Sequence, residues 1–327
     1  MDAQMTSKPV SARPARVTDA PGSRLGDQGF RLLCLAAALA VGVLLLLVIW
    51  QLLKGSHLSI AKFGWKFFFS KNWNPVTEEF GALPLIFGTI ASSIIALIIA
   101  VPLSVGTAIY LTDLAPPRLR QPLTSLIEML AAVPSVVWGL WGLFVLVPIL
   151  RATLYPVLQK WLGFLPLFQG PIFGIGLLTA GIILSIMILP IVTSVSREVL
   201  RSVPNLQREA AYALGATRWE VTRIAVLSYA RRGLFGAAVL GLGRALGETM
   251  AVTMVIGNTP YIGLQLFHPA STLASGVANE FTEAIIDLYL SSLFELGLVL
   301  LGVTVIVNIL AQVMVRAFTT AETRRVA

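Results

Sequence analysis

An arginine and a glutamate stand four residues apart within one apolar stretch of this sequence. Arg244 and Glu248 lie in the run GLGRALGETM, residues 241–250. At the centre of a bilayer either charge costs ~2.5 kcal/mol or more, so each must face protein, water or the other. A spacing of four residues puts both side chains on one face of a helix, where they can form an ion pair.

Two roles are open for this pair. As architecture, it joins its helix to a neighbouring helix or to a second subunit, and the glycines at 241, 243 and 247 serve as packing notches. As a gate for an anion, Arg244 supplies a permanent cation whose planar donor fork suits a tetrahedral oxyanion. Glu248 can accept the P–OH proton of hydrogen phosphate, whereas it would repel a fully deprotonated oxyanion such as sulfate. The gate interpretation therefore favours phosphate.

The elements that position this pair are membrane helices. Of the 327 residues, 56% are hydrophobic and 12% are charged, and the mean hydropathy is +0.83. Soluble domains carry about twice that charged fraction, so this class is excluded. Apolar runs long enough to cross ~30 Å of hydrocarbon predict six transmembrane helices, at about 32–53, 83–111, 123–150, 173–195, 234–256 and 291–315. The first run follows some thirty polar residues and lacks a small-x-small site, so it is expected to stay as a span.

The distribution of Lys and Arg predicts the orientation of these spans. With both termini in the cytoplasm, the inner segments hold seventeen Lys and Arg residues and the outer segments hold six. The net charge of +8 thus follows membrane topology and indicates no nucleic-acid partner. Residues 1–31 are predicted to be a disordered cytoplasmic tail, 32–316 the transmembrane domain, and 317–327 a second cytoplasmic tail.

The sequence lacks the residues that several kinds of chemistry require. The sequence has no phosphate loop of the form GxxxxGK[ST], so the chain cannot use ATP by that route. Its two histidines, His57 and His268, fall in predicted outer loops, and its single cysteine, Cys34, has no partner within the chain. We therefore predict no catalytic residues, no metal site and no cofactor bound by this chain. Energy for any transport must come from a partner or an ion gradient.

The most basic loop, residues 196–232, carries a motif of its own. The segment EAAYALG at 209–215 predicts a short helix that ends at Gly215, with Pro204 in its first turn. Thr217 and Glu220 then fit a capping box, which predicts a second helix starting at a sharp corner. Such an insert is a surface for a cytoplasmic partner, although an ordinary amphipathic loop would read similarly.

Together, the motifs of this chain resemble one family of permeases. They are RALGETMA at 244–251, VPSVVWGLWG at 133–142 and TSVSREVLRSVP at 193–204, beside the EAA segment. In residues and order they are similar to the first permease subunit of the phosphate-specific ABC importer, in the binding-protein-dependent transport inner-membrane component family. The resemblance covers about 83–316. One departure is Ser228, where the family usually has proline.

The resemblance implies a type I-like ABC importer permease fold, in a bacterial cytoplasmic membrane. It implies a second homologous permease subunit, an extracytoplasmic phosphate-binding protein, and two ATP-binding subunits that use ATP and Mg²⁺. Coupling to the ATPase would fall to Glu209, Ala210, Ala211 and Gly215. The substrate pathway would include Arg244, Glu248, Thr249 and Ser135.

Two other functions remain open from the residues. One is a permease for another oxyanion, such as sulfate, molybdate or phosphonate, because permeases for related oxyanions share the RALGE pattern. The other is a membrane scaffold that does not transport, for which the basic loop would be a docking surface without any pathway. The charge of Arg244 within a span argues against the scaffold.

Overall fold

The structure of the protein is a computed structural model that describes the backbone of residues 21–326 and the side chains of 26–314. In this part the chain forms helices and turns, with two isolated β-bridges. The α-helices are α1 Pro21–Gly55, α2 His57–Phe63, α3 Lys66–Phe69, α4 Leu83–Ile109, α5 Pro117–Ala132, α6 Ser135–Trp141, α7 Val147–Ala152, α8 Leu154–Leu162, α9 Leu177–Arg201, α10 Asn205–Ala213, α11 Arg218–Val221, α12 Leu227–Leu246, α13 Met250–Ile256, α14 Leu273–Glu280 and α15 Asp287–Val326.

Six helical segments of the described chain are long and apolar enough to cross a membrane. They are Gly26–Gly55, Leu83–Leu114, Ser135–Ala152, Leu177–Arg201, Arg218–Leu246 and Asp287–Met314. The predicted all-α fold with six transmembrane helices is therefore confirmed. Residues 1–31 were expected to form a disordered tail, but α1 begins at Pro21, and residues 1–20 lie outside the described part. The second predicted tail, 317–327, continues the last helix as far as Val326.

The third predicted span, 123–150, is not one helix. Helix α5 ends at Ala132 and α6 begins at Ser135, because Val133 is extended (φ −69°, ψ 127°) and Pro134 has no N–H to continue the hydrogen-bond ladder. The apolar segment that can cross the membrane starts at Ser135 and runs through α7. The break at Pro134 thus divides this stretch into a separate helix, α5, and a segment that can cross the membrane.

The fifth predicted span, 234–256, differs at both ends. Helical structure starts sixteen residues earlier, at Arg218, because α11, a π-helical turn at Thr222–Val226 and α12 form one rod. Arginines along the first half of this rod lower its hydropathy and hide its start. Ser228 lies inside the rod, and unlike a proline it supplies the backbone N–H that a continuous helix needs. At the other end, α12 stops at Leu246 and α13 restarts at Met250.

Helix α9 forms the centre of the unit that begins at Leu52. Its apolar window is 67% buried, against 33% or less for each other candidate span of the described chain. Gly181 lets α9 approach α4 closely, because a Cβ there would overlap Ile95. On its other sides α9 packs against α12 and α13, and fully buried Ile183 and Ile188 fill the shared core. Residues 21–51 belong to a separate unit, and no residue in the apolar window of α1 is buried.

On the predicted outer side, α2, α3, α14 and α15 share a second core. Aromatic rings stack there, with Phe80 and Tyr289 nearly parallel and 5.2 Å apart. Glu280 ends α14 and accepts hydrogen bonds from the Trp73 indole at 2.6 Å and the Tyr289 hydroxyl at 2.7 Å. Burial raises the pKa of Glu280, while the two donors oppose the shift.

Candidate functional site

The predicted ion pair is present at the end of α12. Nη2 of Arg244 lies 3.6 Å from Oε2 of Glu248. The two side chains differ sharply in exposure, since 51% of the Arg244 side chain is accessible and only 6% of that of Glu248. The second oxygen of Glu248 accepts a long hydrogen bond, 3.4 Å, from the backbone N–H of Ala251. Glu248 is therefore held inside the protein while the guanidinium reaches outward.

The helix breaks at this pair. After Leu246 the chain leaves α-helical geometry at Gly247, and regular hydrogen bonding resumes when Thr253 N–H donates to the carbonyl of Thr249 at 2.9 Å. Thr249 is half-buried, and its hydroxyl contacts the Gly247 carbonyl at 3.4 Å. Glu248 and Thr249 thus lie on non-helical backbone inside a membrane protein, which is tolerated where protein or a cavity surrounds it.

Ser135 reaches the same region from the third apolar segment. A Cβ on Gly139 would lie 2.7 Å from Sδ of Met254 and 3.0 Å from Cα of Ala251, so α6 packs directly on α13. One turn further, a Cβ on Gly142 would lie 3.1 Å from Val255. The two helices therefore advance in parallel, and Ser135, one turn before Gly139, lies at the level of the break after Leu246. The sequence predicted Ser135 as a site residue but not this register.

The docking loop has the predicted helix-corner-helix form. Helix α10 ends before Gly215, which adopts a left-handed conformation with φ +83°. The capping box of Thr217 and Glu220 is formed in both directions and starts α11. Pro204 is the N-cap residue of α10, one position before its predicted place in the first turn. Nothing lies within 4 Å of a Cβ placed on Gly215, so backbone conformation alone favours glycine there.

The loop also exposes apolar side chains. Leu206, Leu214, Trp219 and Ile224 are 76%, 90%, 54% and 65% exposed. Among the predicted coupling residues, Glu209 and Ala210 are exposed and Ala211 is half-buried. A cluster of large apolar side chains on a polar, basic loop is typical of a protein-binding surface.

Two polar contacts at the predicted cytoplasmic side were not predicted from the sequence. Arg208 pairs with Asp113, and Arg197 donates to the Thr124 hydroxyl at 2.6 Å and lies 3.5 Å from Glu128. The partners are far apart in the chain, so no local spacing links them. Their one signal is that Asp113 and Arg197 lie at the ends of apolar stretches, where an unpaired charge is costly.

Comparison with known proteins defines the class. The model of the family described as "Binding-protein-dependent transport system inner membrane component" matches residues 100–320. The chain belongs to this family, as its motifs predicted, and is a multi-pass inner-membrane component of a transport system. The fold resembles that of a solved MetNI methionine ABC transporter in an inward-facing conformation, with a TM-score of 0.51 at 17% identity, over 71% of this chain and 94% of that one.

Relatives with higher sequence identity carry a more particular name. The phosphate transport system permease protein PstC of Mesorhizobium japonicum is 50% identical over 294 residues, which cover 89% of this chain and 90% of that protein. PstC of Haemophilus influenzae is 49% identical over 282 residues, covering 85% and 89%. A probable PstC of Methanocaldococcus jannaschii is 37% identical over 287 residues, covering 86% and 91%.

Proposed function

We propose that this chain is the membrane-spanning permease subunit of an ATP-driven importer of inorganic phosphate. The observation that carries the proposal is Arg244, a cation at the end of a membrane helix whose side chain is half exposed while its partner Glu248 is buried. An architectural pair would be expected to bury both members. The names and the high identity of the relatives support phosphate as the substrate.

In this proposal, the residues at the break act together on the anion. The Arg244 guanidinium supplies charge and a donor fork for two phosphate oxygens. Glu248, one turn away, accepts the P–OH proton of hydrogen phosphate, which a fully deprotonated dianion cannot offer. The hydroxyls of Ser135 and Thr249 can donate to the remaining oxygens. Because the binding groups stand on broken helices, a small change in helix packing exposes them to one side of the membrane or the other.

The energy is supplied by other subunits. The complex contains two ATP-binding subunits that use ATP and Mg²⁺, and one of them docks on the cytoplasmic loop of this chain through Glu209, Ala210, Ala211 and Gly215. This chain itself catalyses no reaction. A second homologous permease subunit completes the pathway, and an extracytoplasmic binding protein delivers phosphate. The excess of Lys and Arg on the inner segments supports cytoplasmic placement of both termini.

Uptake into vesicles containing the assembled complex tests the substrate. We expect saturable uptake of phosphate that excess sulfate does not compete for, and we expect Arg244→Gln to reduce it at least a hundredfold in a complex that still assembles. Arg151→Gln, which removes an exposed cation from α7, is the matched control and should retain uptake. Transport of sulfate or molybdate instead would identify another oxyanion permease. Docking of the ATPase without any transport would identify a scaffold.

Two substitutions test coupling. Gly215→Pro forces φ to about −65° at a position that needs +83°, and so should displace the corner between the loop helices. Glu209→Lys reverses an exposed charge of α10, and Gln207→Lys adds a cation on the same helix as a control. We expect the first two to uncouple ATP hydrolysis from uptake, and the control to retain coupling. Normal phosphate-stimulated hydrolysis and normal uptake in both would remove the loop from the mechanism.

A further inference from the structure

A buried ion pair joins the docking loop to the membrane helices. Nη1 of Arg208, in α10, lies 2.5 Å from Oδ1 of Asp113. Its Nη2 donates to the backbone carbonyl of Leu200 at 2.9 Å. The second carboxylate oxygen of Asp113 lies 3.4 Å from the Thr222 hydroxyl, whose shorter contact, 3.0 Å, is with the backbone carbonyl of Arg218. The Asp113 side chain is 9% exposed and that of Arg208 is 21% exposed. We call Arg208, Asp113, Leu200 and Thr222 the Arg208 clamp.

The clamp connects one loop helix to three membrane spans. Asp113 lies in a π-helical turn, Tyr110–Leu114, at the end of the second span, and Leu200 lies in the last turn of the fourth. Thr222 begins another π-helical turn, Thr222–Val226, near the start of the fifth span. A π-helical turn inserts a residue and redirects the side chains around it, and such turns are frequent at functional sites. Two of the three anchors therefore come from local departures from α-helical geometry.

Helix α10 has little other attachment. Of residues 205–213, all are exposed except Arg208 and Ala211, which are half-buried. Behind the clamp, the three spans form one packed cluster that includes Ile109, Leu200 and Val226. Because a packed core transmits displacement with little compression, a force applied at Arg208 reaches all three spans together.

We propose that the Arg208 clamp is the link through which movement of α10 reaches the second, fourth and fifth spans. This inference rests on the proposed role of the loop in coupling. The guanidinium is planar and places one N–H on a carboxylate and another on a carbonyl, so it fixes the orientation of α10 as well as its distance. Asp113 and Arg208 are thus positioning residues, which act on the transport pathway through the spans.

The test uses the complete complex in vesicles and measures phosphate-stimulated ATP hydrolysis and phosphate uptake. Asp113→Asn keeps the shape of the side chain and removes its charge. We expect it to lower the uptake per ATP hydrolysed at least tenfold and to abolish the stimulation by phosphate. Arg208→Lys keeps the charge but loses the fork, and we expect an intermediate loss. Glu198→Gln is the matched control, because Glu198 is an exposed carboxylate in the same region that lies 3.6 Å from Arg201 and 3.7 Å from Arg197 without contacting the clamp. This variant should stay within twofold of the unaltered protein.

The uptake per ATP hydrolysed and the stimulation by phosphate distinguish a positioning role of these residues from a role in protein stability alone. A variant that only destabilised the protein would lower uptake and stimulated hydrolysis in proportion to the amount of complex lost. If Asp113→Asn fails to assemble, Arg208→Lys decides by the same ratios. The proposed role of the clamp would be overturned if the variant that assembles kept both quantities within twofold of normal. These are the phosphate uptake per ATP hydrolysed and the stimulation of hydrolysis by phosphate. If Gly215→Pro uncouples while the clamp variants do not, the inference is wrong and the docking role stands. If none of them uncouples, the docking role fails as well.

Discussion

Exchanging the two charges at the helix break distinguishes a gate from an architectural pair. Arg244→Glu with Glu248→Arg preserves the attraction but moves the cation by four residues, roughly 6 Å, to a position beyond the end of α12. At an effective dielectric constant of ~20, a dianion gains roughly 8 kcal/mol from a cation at about 4 Å and roughly 5 kcal/mol at about 7 Å. Before rounding, the difference is about 3.6 kcal/mol, which corresponds to a loss of several hundredfold. Since the Arg244 side chain is half exposed, screening at twice that dielectric leaves about 2 kcal/mol, or roughly a twentyfold to thirtyfold loss.

The assay is uptake of radiolabelled phosphate by the assembled complex. We expect the exchanged protein to lose at least twentyfold in uptake while its partner subunits still copurify. Arg244→Gln with Glu248→Gln serves as the neutral reference, because it removes both charges and keeps hydrogen-bonding side chains of similar size. Should the exchanged protein retain more than half of the normal uptake, the position of the cation does not matter and the pair is architectural.

Three further outcomes can be measured. In a cysteine-free background, a cysteine at Ile285, which is 93% exposed, should react with an impermeant thiol reagent from outside, and one at Arg201 only in opened membranes; labelling of both from one side would contradict the topology. Because burial raises the pKa of Glu280, the fold favours its protonated form, and thermal stability in detergent should fall as pH rises from 4.5 through that raised pKa. Glu280→Gln should flatten this slope, and an unchanged slope would exclude Glu280 as its source. Gly139→Ala should lower stability by about 1–3 kcal/mol, because a Cβ there would press α6 away from α13. Gly106→Ala meets open space and is the control, so equal losses in the two would exclude this packing explanation.

The fold was predictable because hydrocarbon thickness and the demand for internal hydrogen bonding leave few alternatives. Apolar runs therefore revealed six spans, and Thr217 with Glu220 revealed a helix start, since a capping box is local in sequence. Hydropathy gave wrong helix boundaries where the apolar character of a segment does not match its conformation. It missed the first half of the fifth span, because the arginines there lower the mean hydropathy although they are compatible with a helix. It also joined two helices across Pro134, because the hydropathy of a residue does not depend on its backbone conformation.

The candidate site was predictable to the extent that its contacts are local. Arg244 and Glu248 are only four residues apart, so they remain close enough to pair although α12 ends at Leu246, before Glu248. Arg208 and Asp113 are 95 residues apart, and only the packing of three spans brings them together. The level of Ser135 relative to the helix break depends on how two helices pack through Gly139, which no single stretch of sequence contains.

The uninterrupted rod from Arg218 to Leu246 has a consequence for how this protein can vary. Twenty-six residues separate Arg218, at the docking corner, from Arg244, or about 39 Å of helix. One residue added between them would turn Arg244, and Glu248 with it, by about 100° around the helix axis relative to the docking corner. A loop can accommodate an inserted residue by bulging, whereas an insertion in a continuous helix rotates all the residues that follow it. The spacing between these two arginines is therefore itself a functional property of the chain, as much as the identity of either residue.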